Sequence, residues 1–186
     1  RNTKLVRDEF WRMTLNTFIE SLKKYSTLNF PVNEVSAFIM ESDISKSNLT
    51  KYEHFSKKMY TRNRIYKDEN FEILLLCWLP NQIAPIHGHE GEKCWFKVLN
   101  GSLEICNYSL QSTNPLSLIL NEKIDASIGY VDGPADIHSI KNCSQDPVST
   151  LHIYTKPYDT CAVYDLKKKR IDRLKMLYHS IDGKLC

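Results

Sequence analysis

The chain has 186 residues, with 25 Lys and Arg against 22 Asp and Glu, and so carries a formal charge of +3. A 42% hydrophobic share can fill a core and excludes a disordered chain, while six Gly and seven Pro exclude a collagen-like or linker-like one. The charges are mixed and form no basic face, which speaks against nucleic acid as a partner, and no run approaches the roughly 18 apolar residues of a membrane span.

The length predicts a single domain, 1–186, whose texture changes at about residue 58. In the 1–58 portion Phe10, Leu15, Phe18, Ile19 and Leu22 recur at helical spacing, with Asp8 and Glu9 suited to a helix N-terminus. A second helix is expected from near Pro31 and Asn33 through Val35, Phe38, Ile39 and Met40, and a third over 44–58. Residues 59–180 read instead as ten short runs rich in Ile, Val, Leu, Tyr and Trp: 60–66, 71–79, 83–88, 94–99, 102–109, 116–121, 127–131, 136–141, 148–155 and 160–165. Turn residues separate them, and Asn100-Gly101 between two apolar runs is a strong hairpin signal, because both turn positions need positive φ. The longest apolar run, 71–80, holds Glu72 and fits a buried strand; the basic run 167–170 fits a solvated turn. Strands without intervening helical periods predict a mainly β fold, a β-barrel or double-sheet jelly roll, with the helices as an N-terminal cap. The six cysteines lack a CxxC pair and read as reduced thiols of a cytoplasmic protein; Cys77, Cys106, Cys143 and Cys186 receive no functional role. With no coiled coil and no obvious sticky edge, a monomer is expected.

Chemistry concentrates in the histidines. His87 and His89 stand as H-x-H in Pro85-Ile86-His87-Gly88-His89, and positions two apart on a strand share a face. His138 follows the Asp132-Gly133-Pro134 turn, and three neutral nitrogen donors make a usual metal-ligand set. His54 and His179 read as structural.

The spacing then resembles the cupin superfamily. Four residues separate His89 from position 94 and six separate that position from Gly101, as in the first cupin motif, while His138 and Asn142 match the end of the second. Position 94, where that motif has its glutamate, is Cys94, leaving three histidines and no carboxylate. That combination resembles the cysteine dioxygenase type I family, a thiol dioxygenase family. The resemblance is carried in order by Tyr60-Thr61-Arg62-Asn63, Leu76-Cys77-Trp78, Ile86-His87-Gly88-His89, Cys94, Asn100-Gly101-Ser102-Leu103-Glu104, Ser127-Ile128-Gly129, His138, Leu151-His152-Ile153-Tyr154, Pro157-Tyr158-Asp159-Thr160-Cys161, Met176 and Tyr178-His179-Ser180.

The resemblance implies a cupin-type barrel with Fe(II) bound by His87, His89 and His138, and L-cysteine and O2 as substrates giving cysteine sulfinate. That reaction belongs to cysteine catabolism and taurine biosynthesis. It also implies a Cys94–Tyr154 thioether crosslink as a protein-derived cofactor. Arg62, assisted by Tyr60, would hold the substrate carboxylate; His152, with Thr150 behind it, would hydrogen-bond Tyr154; and Cys161, Trp78 and Met176 would line the pocket. Physical chemistry agrees: a dication deprotonates a bound thiol, and an Arg fork suits a carboxylate. Thr155-Lys156-Pro157 stands where the family commonly shows Ser-Pro-Pro, so the pocket is expected to differ there. The alternatives are a 3-mercaptopropionate-type thiol dioxygenase, which shares the carboxylate but whose enzymes lack the cysteine at position 94, a zinc cupin, and a non-catalytic cupin that binds small ligands.

Overall fold

The computed structural model describes residues 12–134 and 136–186. The helix start expected at Asp8, Glu9 and Phe10 lies outside the described residues. Helix α1 spans Leu15–Thr27, and the Thr14 hydroxyl accepts from the Thr17 amide at its start. Helix α2 spans Val32–Glu41. The third helix is shorter than expected, a single turn α3 (Lys46–Leu49) followed by a 3-10 turn at Thr50–Tyr52. Beyond it the Thr61 hydroxyl and the Asn63 amide both donate to the His54 carbonyl, which draws residues 53–58 into a link to the first strand.

Thirteen strands follow among the described residues: β1 (Thr61–Lys67), β2 (Phe71–Trp78), β3 (Ile83–Gly88), β4 (Cys94–Asn100), β5 (Ser102–Thr113), β6 (Leu116–Ser127), β7 (Val131–Asp132), β8 (Ile137–Lys141), β9 (Val148–Thr155), β10 (Thr160–Asp165), β11 (Arg170–Lys175), β12 (Ser180–Ile181) and β13 (Lys184–Leu185). One sheet is ordered β13-β12-β1-β2-β9-β4-β7 and the other β11-β10-β3-β8-β5-β6. Pairing is antiparallel throughout except between β1 and β12. This is the expected mainly β, double-sheet architecture, with the helices set against one sheet.

The run expected at 127–131 is mostly a turn. Gly129 takes φ +87° and the Tyr130 amide donates to the Ser127 carbonyl, so β7 begins only at Val131. Strand β11 escaped the pattern because its residues, RIDRLK, lie on an exposed edge and show no apolar alternation. Residues 166–169 form the expected turn.

Strands β2 and β9 explain the layering. All eight residues of each are buried, so the alternation is hidden in the sequence. Phe71, Ile73, Leu75 and Cys77 of β2 and Leu151 and Ile153 of β9 pack against Phe18, Leu22, Val35 and Ile39 of the cap. The intervening residues Leu74, Leu76 and Trp78 of β2 and Tyr154 of β9 join Cys94, Phe96 and Val98 of β4 in a second cluster between the sheets. The cap therefore seals the outer face of the first sheet and frees its inner face for polar work. Polar ties fix the cap: the Trp95 indole donates to Ser36 Oγ at 2.9 Å, and Lys97 Nζ donates to the Met40 carbonyl at 2.8 Å at the C-terminus of α2.

Candidate metal centre

Strand pairing builds the centre. His87 on β3 lies directly opposite His138 on β8, and His89 follows one residue past the end of β3. The donor nitrogens of His87, His89 and His138 lie within 4.8 Å of one another. His89 and His138 are buried and His87 is half-buried.

His87 and His89 are hydrogen-bonded from behind through Nδ1, and His138 turns its Nδ1 toward a carboxylate. His87 Nδ1 lies 2.8 Å from the Pro85 carbonyl, His89 Nδ1 2.9 Å from the Asp136 carbonyl, and His138 Nδ1 3.5 Å from Asp132 Oδ2. Holding Nδ1 selects the tautomer that offers Nε2 to a metal. Burial pushes His87 down to about 3, with the charge of His89 adding to it. Burial also pushes His138 down to about 4, against the opposing effect of Asp132. Both of these rings are therefore neutral at pH 7, as ligands must be. The three-histidine set therefore fits a divalent transition metal. Asp132 was legible in the sequence only as a turn residue; strand β7, paired with Phe96 of β4, turns its carboxylate toward His138.

Beside the histidines stands a second row, on adjacent strands. Cys94 of β4 pairs directly with Tyr154 of β9, which pairs in turn with Glu72 of β2. The Tyr154 ring centroid lies 6.2 Å from that of His89. Tyr154 Oη is 3.1 Å from His152 Nδ1, and His152 Nε2 is 2.9 Å from Thr150 Oγ1, which also accepts from the Trp78 indole at 3.0 Å. Phe96 stacks on His152 with centroids 4.8 Å apart, fixing the imidazole plane. Burial holds the Tyr154 phenol and the Cys94 thiol well above their usual ranges and His152 well below its own. Cys94 and Tyr154 are thus neighbours across the ladder, and no disulfide joins any of the six cysteines.

Arg62 crosses this row. It is buried, its guanidinium carbon sits 5.5 Å from the Tyr154 ring centroid, and its Nη2 is 3.7 Å from Glu72 Oε1. Its Nε is buried and meets no acceptor among the described residues. Glu72, the acidic residue inside an apolar run, accepts the Tyr178 hydroxyl at 2.6 Å. Tyr60, Arg62 and Met176 border a cavity of about 480 Å³ that Thr61, Leu177 and Tyr178 also line. Trp78 and Cys161 do not border it: Trp78 is fully buried and stacks on Tyr60 at 4.5 Å, and the Cys161 thiol lies 3.3 Å from Met176 Sδ. Their expected place on the pocket wall becomes a place in the layer behind it, where Tyr60 and Met176 stand between them and the cavity.

Lys156 turns away. Its backbone is left-handed at φ +52°, its amide donates to the Asn70 carbonyl at 2.7 Å, and its exposed ammonium lies 3.5 Å from Glu92. His54 Nε2 contacts the Gly183 carbonyl at 3.1 Å, a role within the fold.

Comparison with known proteins adds a family. The sequence profile of cysteine dioxygenase type I matches residues 13–167. The chain is 26% identical over 157 residues to cysteine dioxygenase type 1 of Homo sapiens, covering 82% of this chain and 78% of that protein. It is 26% identical over 180 residues to cysteine dioxygenase type 1 of Danio rerio, covering 91% and 88%. Among solved structures, an RmlC-like cupin protein from Desulfovibrio desulfuricans overlaps 62% of this chain and all of its own, with a TM-score of 0.45 and 18% identity.

Proposed function

The chain belongs to the cysteine dioxygenase type I family, and from that membership we propose that it is an Fe(II)-dependent dioxygenase that converts L-cysteine and O2 to cysteine sulfinate. The observation that carries the substrate class is Arg62. A buried guanidinium with an orphaned Nε beside a cavity is a receptor for an anion, and a carboxylate is the anion that matches its fork. The three imidazoles gathered at one point support the metal.

In this reading His87, His89 and His138 hold Fe(II), which supplies redox capacity toward O2 and open positions for a thiolate. Arg62, assisted by Tyr60, binds the substrate carboxylate and so fixes the thiol's approach. Tyr154 orients and donates a hydrogen bond to the reacting oxygen. With Thr150 donating to Nε2 of His152, the Nδ1–H of that ring donates to the Tyr154 oxygen and leaves the phenolic hydrogen directed at the chemistry. Met176 lines the cavity with Tyr60 and Arg62, and Trp78 and Cys161 exclude water behind them. The direct pairing of Cys94 with Tyr154 supports a thioether between Sγ and the phenol ring, formed with loss of the thiol and ring hydrogens, whose two electrons O2 accepts, and read as a decrease of two hydrogens in intact mass.

The test is aerobic incubation of Fe(II)-loaded protein with L-cysteine, 3-mercaptopropionate and cysteamine, following O2 uptake and sulfinate. L-cysteine is expected to consume O2 with matching sulfinate and to be preferred. Preference for 3-mercaptopropionate would move the substrate within the carboxylate thiols. Consumption of O2 by none of the three would remove the activity.

A further inference from the structure

Tyr158 has no part in the mechanism above, yet it packs against the same tyrosine as Arg62. Its ring meets Tyr154 edge-on, with centroids 5.8 Å apart and planes at 87°. It packs against the inter-sheet cluster that contains Tyr60, Trp78, Cys94 and Tyr154. Its hydroxyl is buried and meets no hydrogen-bond partner among the described residues. Arg62 lies over the same Tyr154 ring and carries a second orphaned donor, Nε. Burial raises the Tyr158 phenol far above its usual range while the Arg62 charge pulls it back, so it stays a donor at any working pH. Two buried donors without acceptors, gathered around one tyrosine, are costly to leave unmade and call for one acceptor that serves both.

We propose that the Tyr158 hydroxyl is a second donor to the substrate carboxylate, acting beside Arg62 as a specificity-determining residue. The proposal rests on the carboxylate reading of Arg62. A single carboxylate has lone pairs enough for a guanidinium and a phenol together, so the pair would separate thiols with a carboxylate from thiols without one. The two donors lie on different elements, Arg62 on β1 and Tyr158 in the turn between β9 and β10. The carboxylate would therefore also tie that turn to the first sheet.

The experiment compares Fe(II)-loaded wild type and Tyr158→Phe under nitrogen, by calorimetric titration with L-cysteine and with cysteamine, which lacks the carboxylate. The expected result is a fall of about tenfold to a hundredfold in the ratio of L-cysteine affinity to cysteamine affinity, the size of one hydrogen bond to a charged group. Thermal unfolding of the substrate-free proteins supplies the second reading. Removing a buried hydroxyl that has no partner leaves the midpoint unchanged or raises it. An unchanged ratio, with wild type preferring L-cysteine, overturns the role of Tyr158 and leaves that of Arg62. No preference in wild type overturns the carboxylate reading itself. A lowered midpoint shows that the hydroxyl has a partner within the fold and overturns the proposal as well.

Discussion

Each of the three imidazoles is oriented by one atom behind it, and only His138 is oriented by a carboxylate. Asp132 lies 6% exposed with its Oδ2 3.5 Å from His138 Nδ1, close enough to raise the basicity of that ring as a ligand. Asp132→Asn keeps the shape and removes the charge. It is expected to lower metal affinity by about 10- to 100-fold, read by competition with a chromophoric chelator, with the far-ultraviolet circular dichroism unchanged. Unchanged affinity would reduce Asp132 to a turn residue. The Arg62–Glu72 pair poses the opposite case. At 3.7 Å the carboxylate offsets the buried charge without occupying the guanidinium's hydrogen bonds, and Tyr178 holds Glu72 in place.

At the scale of elements, the centre depends on how β7 and β8 meet β4. The turn between them passes so close to β4 that a Cβ on Gly133 would meet the Cys94 carbonyl oxygen and lie 2.9 Å from Trp95 Cα, with Gly133 at φ +124°. Backbone contacts of that kind cannot be relieved by a rotamer change. Gly133→Ala is expected to destabilise the protein by about 2–4 kcal/mol in urea titration and to weaken metal binding with it, because Asp132 and His138 flank the strained turn. Loss of stability with metal affinity intact would mean that the turn is not coupled to the centre. The helical cap acts differently. Phe18 and Leu22 are fully buried against the outer face of β2 and β9, each contributing about 1.5–3 kcal/mol by burial, and none of this touches the inner row.

For the whole molecule, the buried neutral histidines link stability to pH. His138 is held at about 4 and His152 is held well below its ordinary value, chiefly by burial, whereas both would titrate near 6.5 when unfolded. The unfolded chain thus binds more protons than the folded one below about pH 6.5. Stability is complete above that value and is lost as pH falls toward about 4, by about 1.4 kcal/mol per pH unit for each of these two rings. Urea titrations of the metal-free protein at a series of pH values across this window are expected to show the loss, and a flat profile would contradict it. Metal binding to the folded state opposes the loss at His138, because protons and metal compete for the same nitrogen.

The three-histidine group was legible in the sequence from residue type and spacing, whereas Tyr154, His152, Thr150 and Arg62 were singled out only by the resemblance to a family. The mainly β class was legible for the same kind of reason, since alternation and turn residues are local. The short third helix was not, because a carbonyl at His54 is claimed by Thr61 and Asn63 on the following strand. Nor was β11, whose exposed edge imposes no apolar pattern. Asp132, Glu72 and Tyr158 read in the chain as a turn residue, a charge inside an apolar strand and a motif residue without an assigned role. Their place beside the centre was decided by the tertiary structure alone, since strand register between distant segments sets which side chains share a face and burial sets which polar atoms need a partner.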